Sequence, residues 1–480
     1  DAWAEKAKEY MITAYAAPQD VGSERIVDGK PLKEWVRGPN VHEDYTCENH
    51  GFVHPDYLTA YDLQVTNTFV YRLAGEPLPE APLFNIAECR KVLSFLTRPS
   101  GWFFYPQWCD WTNYGFDVTI EAQILDPFVP DPVGARCLRS SLDFLKYTDK
   151  CHGAGPSTNL FHGVNYACTP LFMLNEAYIV FYLFGPGAKP ASDEEARTKL
   201  RGTMISEAGK FAVSRSKDGM ASFSWFDGGE RFMASVTPLA IDAPTVPKLR
   251  SLVGYVSSKD DHIKVVSRKV EQLPGGGFSA GFSIKRGPGF GVSERLMMMA
   301  LADGRVVYAE WFDSEPAGNT EEVRTGLIFL EDDPYWLRGK KPIVYCPGGV
   351  FRLKPEKVSN GDDDARPKPE QVLLGGDDAR WINYNNRLGI VLRGSRQVLL
   401  EGSQLALNYR GPSGGQLPEF WVAVFYPNAT KAMTAKFDQV VSINKLGNGS
   451  YEVFLGDVAI TLDPAEKAVV TRQSHRRGTE

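Results

Sequence analysis

Residues Lys210–Phe226 read K-F-A-V-S-R-S-K-D-G-M-A-S-F-S-W-F, and here the hydrophobic period of the chain changes. Phe211–Ser216 and Met220–Phe226 follow the period of about two that marks strands, and Lys217-Asp218-Gly219 supplies a hairpin turn between them. Upstream the period is about 3.6, and downstream it stays near two. The expected fold is therefore α+β and multidomain: a helical domain over 1–208 and a large antiparallel β-sandwich over 209–480.

Working upstream, Ser192-Asp193-Glu194-Glu195 reads as a capping box opening a helix to about Ala208, and Asn85-Ile86-Ala87-Glu88 as a second one opening a helix to about Leu96. Pro55, Pro132 and Pro170 each stand where a first helical residue is favoured, because proline lacks the N–H that would be unpaired there. With the amphipathic opening, Asp1 to about Ala16, these signals give about seven helices. The chain opens inside a helix without an initiator Met or a signal peptide, as expected of a processed or excerpted product.

Working downstream, Arg295–Leu301 and Val306–Phe312 flank Asp303-Gly304, and Val440–Lys445 and Tyr451–Leu455 flank Gly447-Asn448-Gly449, two further hairpins. The polar stretch Ser359–Pro369 subdivides the β-region near 359–380. Its Asp362-Asp363-Asp364 reads as a solvated acidic loop, with a calcium site as the alternative. No cofactor is required, and a structural divalent metal is the one inorganic partner the sequence accommodates.

Hydrophobic content of 43%, charged content of 23% and a net charge of −6 fit a globular protein and give no reason to expect nucleic acid. An acidic substrate would have to meet a local cluster of donors. No apolar run reaches the roughly 20 residues of a membrane span; Leu171–Phe184 is short and carries Asn175 and Glu176. Cys47, Cys89, Cys109, Cys137, Cys151, Cys168 and Cys346 form no CxxC pair and read as buried free thiols, with disulfides as the alternative in an exported protein. Nothing in the sequence sets the oligomeric state.

Three polar-aromatic segments in the helical half carry the candidate chemistry, with asparagines at Asn49, Asn113 and Asn165. The first, Glu48-Asn49-His50-Gly51-Phe52, leads to His54-Pro55 and is expected to be a loop feeding a helix N-terminus, where an anionic group would be received. Asp56 in the following turn would offset part of that field. His50 and His54 are spaced for zinc only on a continuous helix, which Gly51 and Pro55 oppose. The second segment runs from Gly101 through Trp102, Tyr105, Trp108 and Trp111 to Asn113 and Tyr114; its rings could line a sugar cleft, and its phenols could move protons beside a cationic neighbour. The third offers His162, Asn165 and Tyr166. Amide, imidazole and phenol together suit proton abstraction next to a carboxylate better than redox or phosphate chemistry.

Paired helices followed by an antiparallel β-sandwich, with Asn49-His50 before an inner helix and Tyr105 beyond it, resemble the heparinase II/III-like and alginate-lyase-like polysaccharide lyases. The resemblance implies an (α/α) toroid, here its C-terminal part because a full toroid has more helices, joined to the sandwich. It implies β-elimination on a uronic-acid-containing polysaccharide, an acidic partner, and a secreted or periplasmic location. Asn49, His50, Tyr105 and Tyr114 would form the catalytic set, with Glu48, Trp102, Trp108, Trp111, Asn113, His162, Asn165 and Tyr166 binding substrate. The family also brings a His or Tyr from its β-domain; His262, Tyr255 and Tyr308 are the candidates.

Two other readings stand beside this one. A toroid-type glycoside hydrolase would need a carboxylate pair, drawn from Glu48, Asp110, Asp117 and Glu121. A non-catalytic carbohydrate-binding protein would need neither. A serine hydrolase is disfavoured, since Gly277-Phe278-Ser279-Ala280-Gly281 and Gly411-Pro412-Ser413-Gly414-Gly415 lie among strand signals. Asn428-Ala429-Thr430 and Asn448-Gly449-Ser450 are glycosylation sequons.

Overall fold

The structure is a computed structural model. It describes residues 2–53, 55–108, 123–152, 169–226, 231–240, 245, 247–256, 261–313, 322–329, 343–353, 370–402, 404–412, 418–463 and 467–472. The chain divides into two compact units, one of Asp1–Tyr105, Cys109–Arg201 and Ser206–Lys210, the other of Pro106–Trp108, Gly202–Ile205 and Phe211–Glu480.

The first unit is built from helices Ala2–Ala14, Leu32–Trp35, Pro55–Leu58, Asp62–Ala74, Ile86–Leu96, Pro132–His152, Thr169–Phe184 and Asp193–Lys199. Asp62–Ala74 packs on Thr169–Phe184, and Ile86–Leu96 on Pro132–His152, which also meets Asp193–Lys199. The described residues thus show packed helix pairs, and the chain as a whole is mixed α+β. A buried ion pair ties Ile86–Leu96 to the turn that leads into Pro132–His152. Arg90, on Ile86–Leu96, reaches Asp126, with the two side chains 2% and 1% exposed. Its guanidinium also donates to Gln123 Oε1 at 2.8 Å. Asp126 in turn accepts from the backbone of Asp131 at 3.0 Å and of Ala188 at 2.6 Å. Removing either charge would leave the other buried and uncompensated, at a cost of about 3–5 kcal/mol.

Two local expectations need correction. The box at Ser192 is formed as read, with Ser192 Oγ accepting from Glu195 N–H and Glu195 answering to the Ser192 N–H. Its helix, however, ends at Lys199, because Gly202–Ser206 is already a strand. Ile86–Leu96 begins where expected, but Asn85 does not cap it through its side chain. The Asn85 amide instead donates to the Tyr15 carbonyl at 2.9 Å and to Asp20 Oδ2 at 2.6 Å, so tertiary partners outbid the local one.

In the second unit, Phe211–Arg215 and Gly219–Trp225 pair antiparallel as the opening stretch implies, within the sheet Gly202–Ser206, Phe211–Arg215, Gly219–Trp225, Phe232–Pro238. A nine-stranded sheet follows in the order Ile263–Gln272, Gly277–Arg286, Val292–Leu301, Val306–Phe312, Phe420–Pro427, Leu388–Arg393, Trp381–Tyr384, Ile343–Cys346, Gly349–Arg352. A five-stranded sheet runs Gln371–Gly375, Gln397–Glu401, Gln404–Arg410, Val323–Phe329, Tyr255–Val256, and a four-stranded one spans Val441–Arg472.

The expected two-sheet sandwich is therefore too simple. The central strands of the nine-stranded sheet are buried on both faces. Phe278, Phe282, Leu296, Met298 and Tyr308 enter one core, while Met297, Met299, Val307 and Trp311 enter another that includes Tyr451, Val453 and Ile460 of the four-stranded sheet. The run Leu296–Leu301, L-M-M-M-A-L, is continuous rather than alternating, which is what a strand covered on both sides requires. The helix Lys431–Val440, capped by Thr430, was not anticipated.

Candidate functional site

The segment Glu48–Val53 is a β-hairpin, not an open loop. Glu48 pairs with Val53 and Asn49 with Phe52. The two central residues have positive φ, 52° at His50 and 76° at Gly51, the signature of a type I′ turn. Gly51 takes that conformation freely, whereas His50 carries a side chain at some cost. Phe52 and Val53 are buried and anchor the hairpin.

At the tip, Asn49 Oδ1 accepts the His50 backbone N–H at 2.8 Å. This fixes the amide with its oxygen turned to the chain and its Nδ2 hydrogens, which are donors, on the other side. Asn49 is half-buried and His50 exposed. The imidazole lies 5.9 Å from the Tyr57 ring, at 50° between planes.

Glu48 sits elsewhere, its Oε2 being 3.9 Å from His42 Nε2. Thr46 Oγ1 donates to Asp44 Oδ1 at 2.7 Å and stands 2.9 Å from His42 Nδ1. The threonine proton is therefore spent on Asp44, and His42 Nδ1 must be the donor to Thr46. A neutral His42 accordingly presents a bare Nε2 towards Glu48, and protonation would complete that ion pair.

Asp56, in the short helix Pro55–Leu58, is the residue the sequence reading undervalued. It accepts a hydrogen bond at Oδ1 from the hydroxyl of Tyr105. Tyr105 is 2% exposed, and Asp56 is half-buried. This phenol thus has a carboxylate as a hydrogen-bond partner. Tyr105 is held by its own stretch: Phe104 N–H donates to the Leu96 carbonyl at 2.7 Å, Arg98 N–H to the Trp102 carbonyl at 2.6 Å, and Ser141 Oγ to the Gly101 carbonyl at 3.2 Å.

Of the expected sugar-lining rings, Trp102 is 3% exposed beneath the Arg98 guanidinium and offers no open face. Trp108 is half-buried and belongs to the second unit. Trp111, Asn113, Tyr114, His162, Asn165 and Tyr166 lie outside the described residues, as do His54, Asp110, Asp117 and Glu121. Among the described residues no group of three or more His, Cys, Asp or Glu is arranged to hold a metal. Cys47, Cys89, Cys137 and Cys346 are free thiols.

Neither tyrosine suggested from the β-region is an open phenol. Tyr308 is wholly buried and donates to Glu310 Oε1 at 2.6 Å. Tyr255 is packed beside Arg324, whose guanidinium lies 5.8 Å from its ring, and burial pushes its hydroxyl up to about 12.

No family model and no curated protein matches this chain. Among solved structures it is similar to the heparan sulfate lyase HepC from Pedobacter heparinus, with TM-score 0.37 and 9% identity over 91% of this chain and 61% of that one. It is also similar to heparinase III, with TM-score 0.30 and 10% identity over 87% of this chain and 66% of that one. The chain thus spans less than two thirds of the HepC chain it matches. A likeness of this depth assigns no family. Among the described residues no helix is long and apolar enough to cross a membrane.

Proposed function

We propose that this protein is a polysaccharide lyase that cleaves a uronic-acid-containing polysaccharide by β-elimination. One observation carries the reading: a hairpin tip holds Asn49 next to His50, with the Asn49 amide oxygen taken up by the His50 backbone N–H and the imidazole exposed. Elimination requires the C6 carboxylate to be neutralised, the C5 proton to be removed, and the leaving glycosidic oxygen to be protonated. An amide fixed by its own backbone bond is a preorganised donor for the carboxylate and for the charge that develops on it. An imidazole can serve as either proton-transfer partner near neutral pH.

His50 takes one of the two transfers in this account. Tyr105 and Tyr114 are the phenols proposed for the other, and the burial of Tyr105 weighs against its direct contact with a polymer. The proposed architecture remains a partial (α/α) toroid with a β-sandwich, the partner an acidic polysaccharide, and the location secreted or periplasmic.

The test is product chemistry by mass spectrometry after incubation with acidic polysaccharides. Elimination gives fragments that together match the mass of the starting chain, whereas hydrolysis adds one water per cut. Fragments carrying the extra water would move the protein to the hydrolase class. Tight glycan binding without any cut would make it a binding protein.

A further inference from the structure

The Tyr105–Asp56 pair has an inside and an outside. The phenol is buried, on a stretch tied by backbone bonds to Leu96 and Trp102. The carboxylate is half-buried and follows the Asn49–His50 hairpin by only a few residues. Its own backbone is pinned, because the Asp56 carbonyl accepts from Thr59 Oγ1 at 2.6 Å, and the neighbouring Tyr57 ring lies against His50. A buried phenol that donates to a carboxylate fixes the orientation of that carboxylate. The phenol donates to Oδ1.

We propose that Asp56, not Tyr105, is the base that removes the C5 proton, and that Tyr105 is a positioning residue acting through it. This rests on the lyase reading above and assigns the second transfer within it. The C5 proton moves to the Asp56 carboxylate, and the C–H electron pair passes into the substrate carboxylate held by Asn49. That pair then forms the C4–C5 double bond as the C4–O bond breaks, and the leaving oxygen takes a proton from the His50 imidazolium. Asp56 returns its proton to water, the His50 imidazole takes one back from water, and Tyr105 keeps its own throughout. A carboxylate is already deprotonated near neutral pH, so no phenolate has to be made.

The two assignments are separated by three variants assayed on a uronic polymer that the wild type cleaves. Asp56→Asn keeps an oxygen for the Tyr105 hydroxyl but cannot hold the proton. It should lose kcat by about 10³-fold with KM within about threefold, as expected when only a transition-state interaction is removed. Asp56→Glu keeps the charge and should restore part of that loss. Tyr105→Phe should retain at least a tenth of kcat, with the acid limb of the pH–rate profile moved to higher pH because a hydrogen bond to the ionised carboxylate is gone. Thermal unfolding of each variant identifies any that fails to fold, and Asp56→Glu then decides on its own through its kcat and pH profile. An active Asp56→Asn, or an inactive but folded Tyr105→Phe, overturns the assignment and returns the base to the phenol. A wild type that yields no unsaturated product from any uronic polymer overturns the lyase reading itself, a result distinct from both.

Discussion

Asn49 Oδ1 accepts the backbone N–H of His50 at 2.8 Å, across the first bond of a two-residue hairpin turn. The contact is local, but it decides which face of the amide is available. Asn49→Asp keeps the acceptor and replaces the donors with a second acceptor bearing charge. The expected result is a loss of about 10²–10³ in kcat/KM on an acidic polymer, the scale of removing one preorganised donor. Stability should move by no more than about 0.5 kcal/mol, because the site is not in the core. Steady-state kinetics with thermal melts check both.

His50 holds φ at 52°, a conformation that costs a side-chain-bearing residue about 1 kcal/mol and glycine almost nothing. His50→Gly should therefore leave the melting temperature unchanged or slightly raised while turnover falls by at least about 10²-fold. A destabilisation above about 2 kcal/mol would mean that the imidazole is there for packing.

Gly101 has φ of 86°, and a Cβ there would stand 2.4 Å from Ser141 Oγ and 2.6 Å from the Ser141 backbone. The backbone contact cannot be relieved by a rotamer change. Gly101→Ala should cost about 2 kcal/mol or more, and should loosen the stretch that leads to Tyr105. Denaturant unfolding measures the first effect, and amide exchange at Phe104 the second.

The second unit contains a buried charge cluster with its own signature. Arg286, fully buried, donates to Glu294 Oε2 at 3.0 Å and to Asp261 Oδ2 at 2.5 Å, and also to the carbonyls of Val253 and Gly254. Glu294 Oε1 has no hydrogen-bond partner among the described residues. Burial pushes the Glu294 carboxyl up to about 7, with Arg286 opposing, from an ordinary value of 4.5. The folded state thus holds a proton that the unfolded state has lost within this window. The stabilisation is present below pH 4.5 and disappears as pH rises through about 7. At about 1.4 kcal/mol per unit, it amounts to roughly 3 kcal/mol. Unfolding followed from pH 5 to pH 8 should show the wild type losing stability and Glu294→Gln losing clearly less.

What the sequence disclosed depended on how local the cause was. The turn at Lys217–Gly219 and the capping box at Ser192 are decided within a few residues, and both formed as read. Asn85 carries the same local signal and was claimed by Asp20, 65 positions away. The two-sided burial of Leu296–Leu301 was written in its unbroken apolar run, yet which sheets cover it is a matter of distant pairing. At the candidate site the turn residues Asn49, His50 and Gly51 were conspicuous. Asp56 was not, because its meaning comes from Tyr105, 49 residues further on. The rings chosen for sugar contact show the limit of composition: Trp102 has the right chemistry for a platform but is spent on the interior.

The most direct test of the account is ultraviolet absorbance of the unsaturated uronate product during incubation of the wild-type protein with a panel of uronic-acid-containing polysaccharides. The account predicts a steady rise on at least one polymer, abolished in a folded Asn49→Ala/His50→Ala double variant. An equal rise in that variant, or no rise on any polymer, contradicts it.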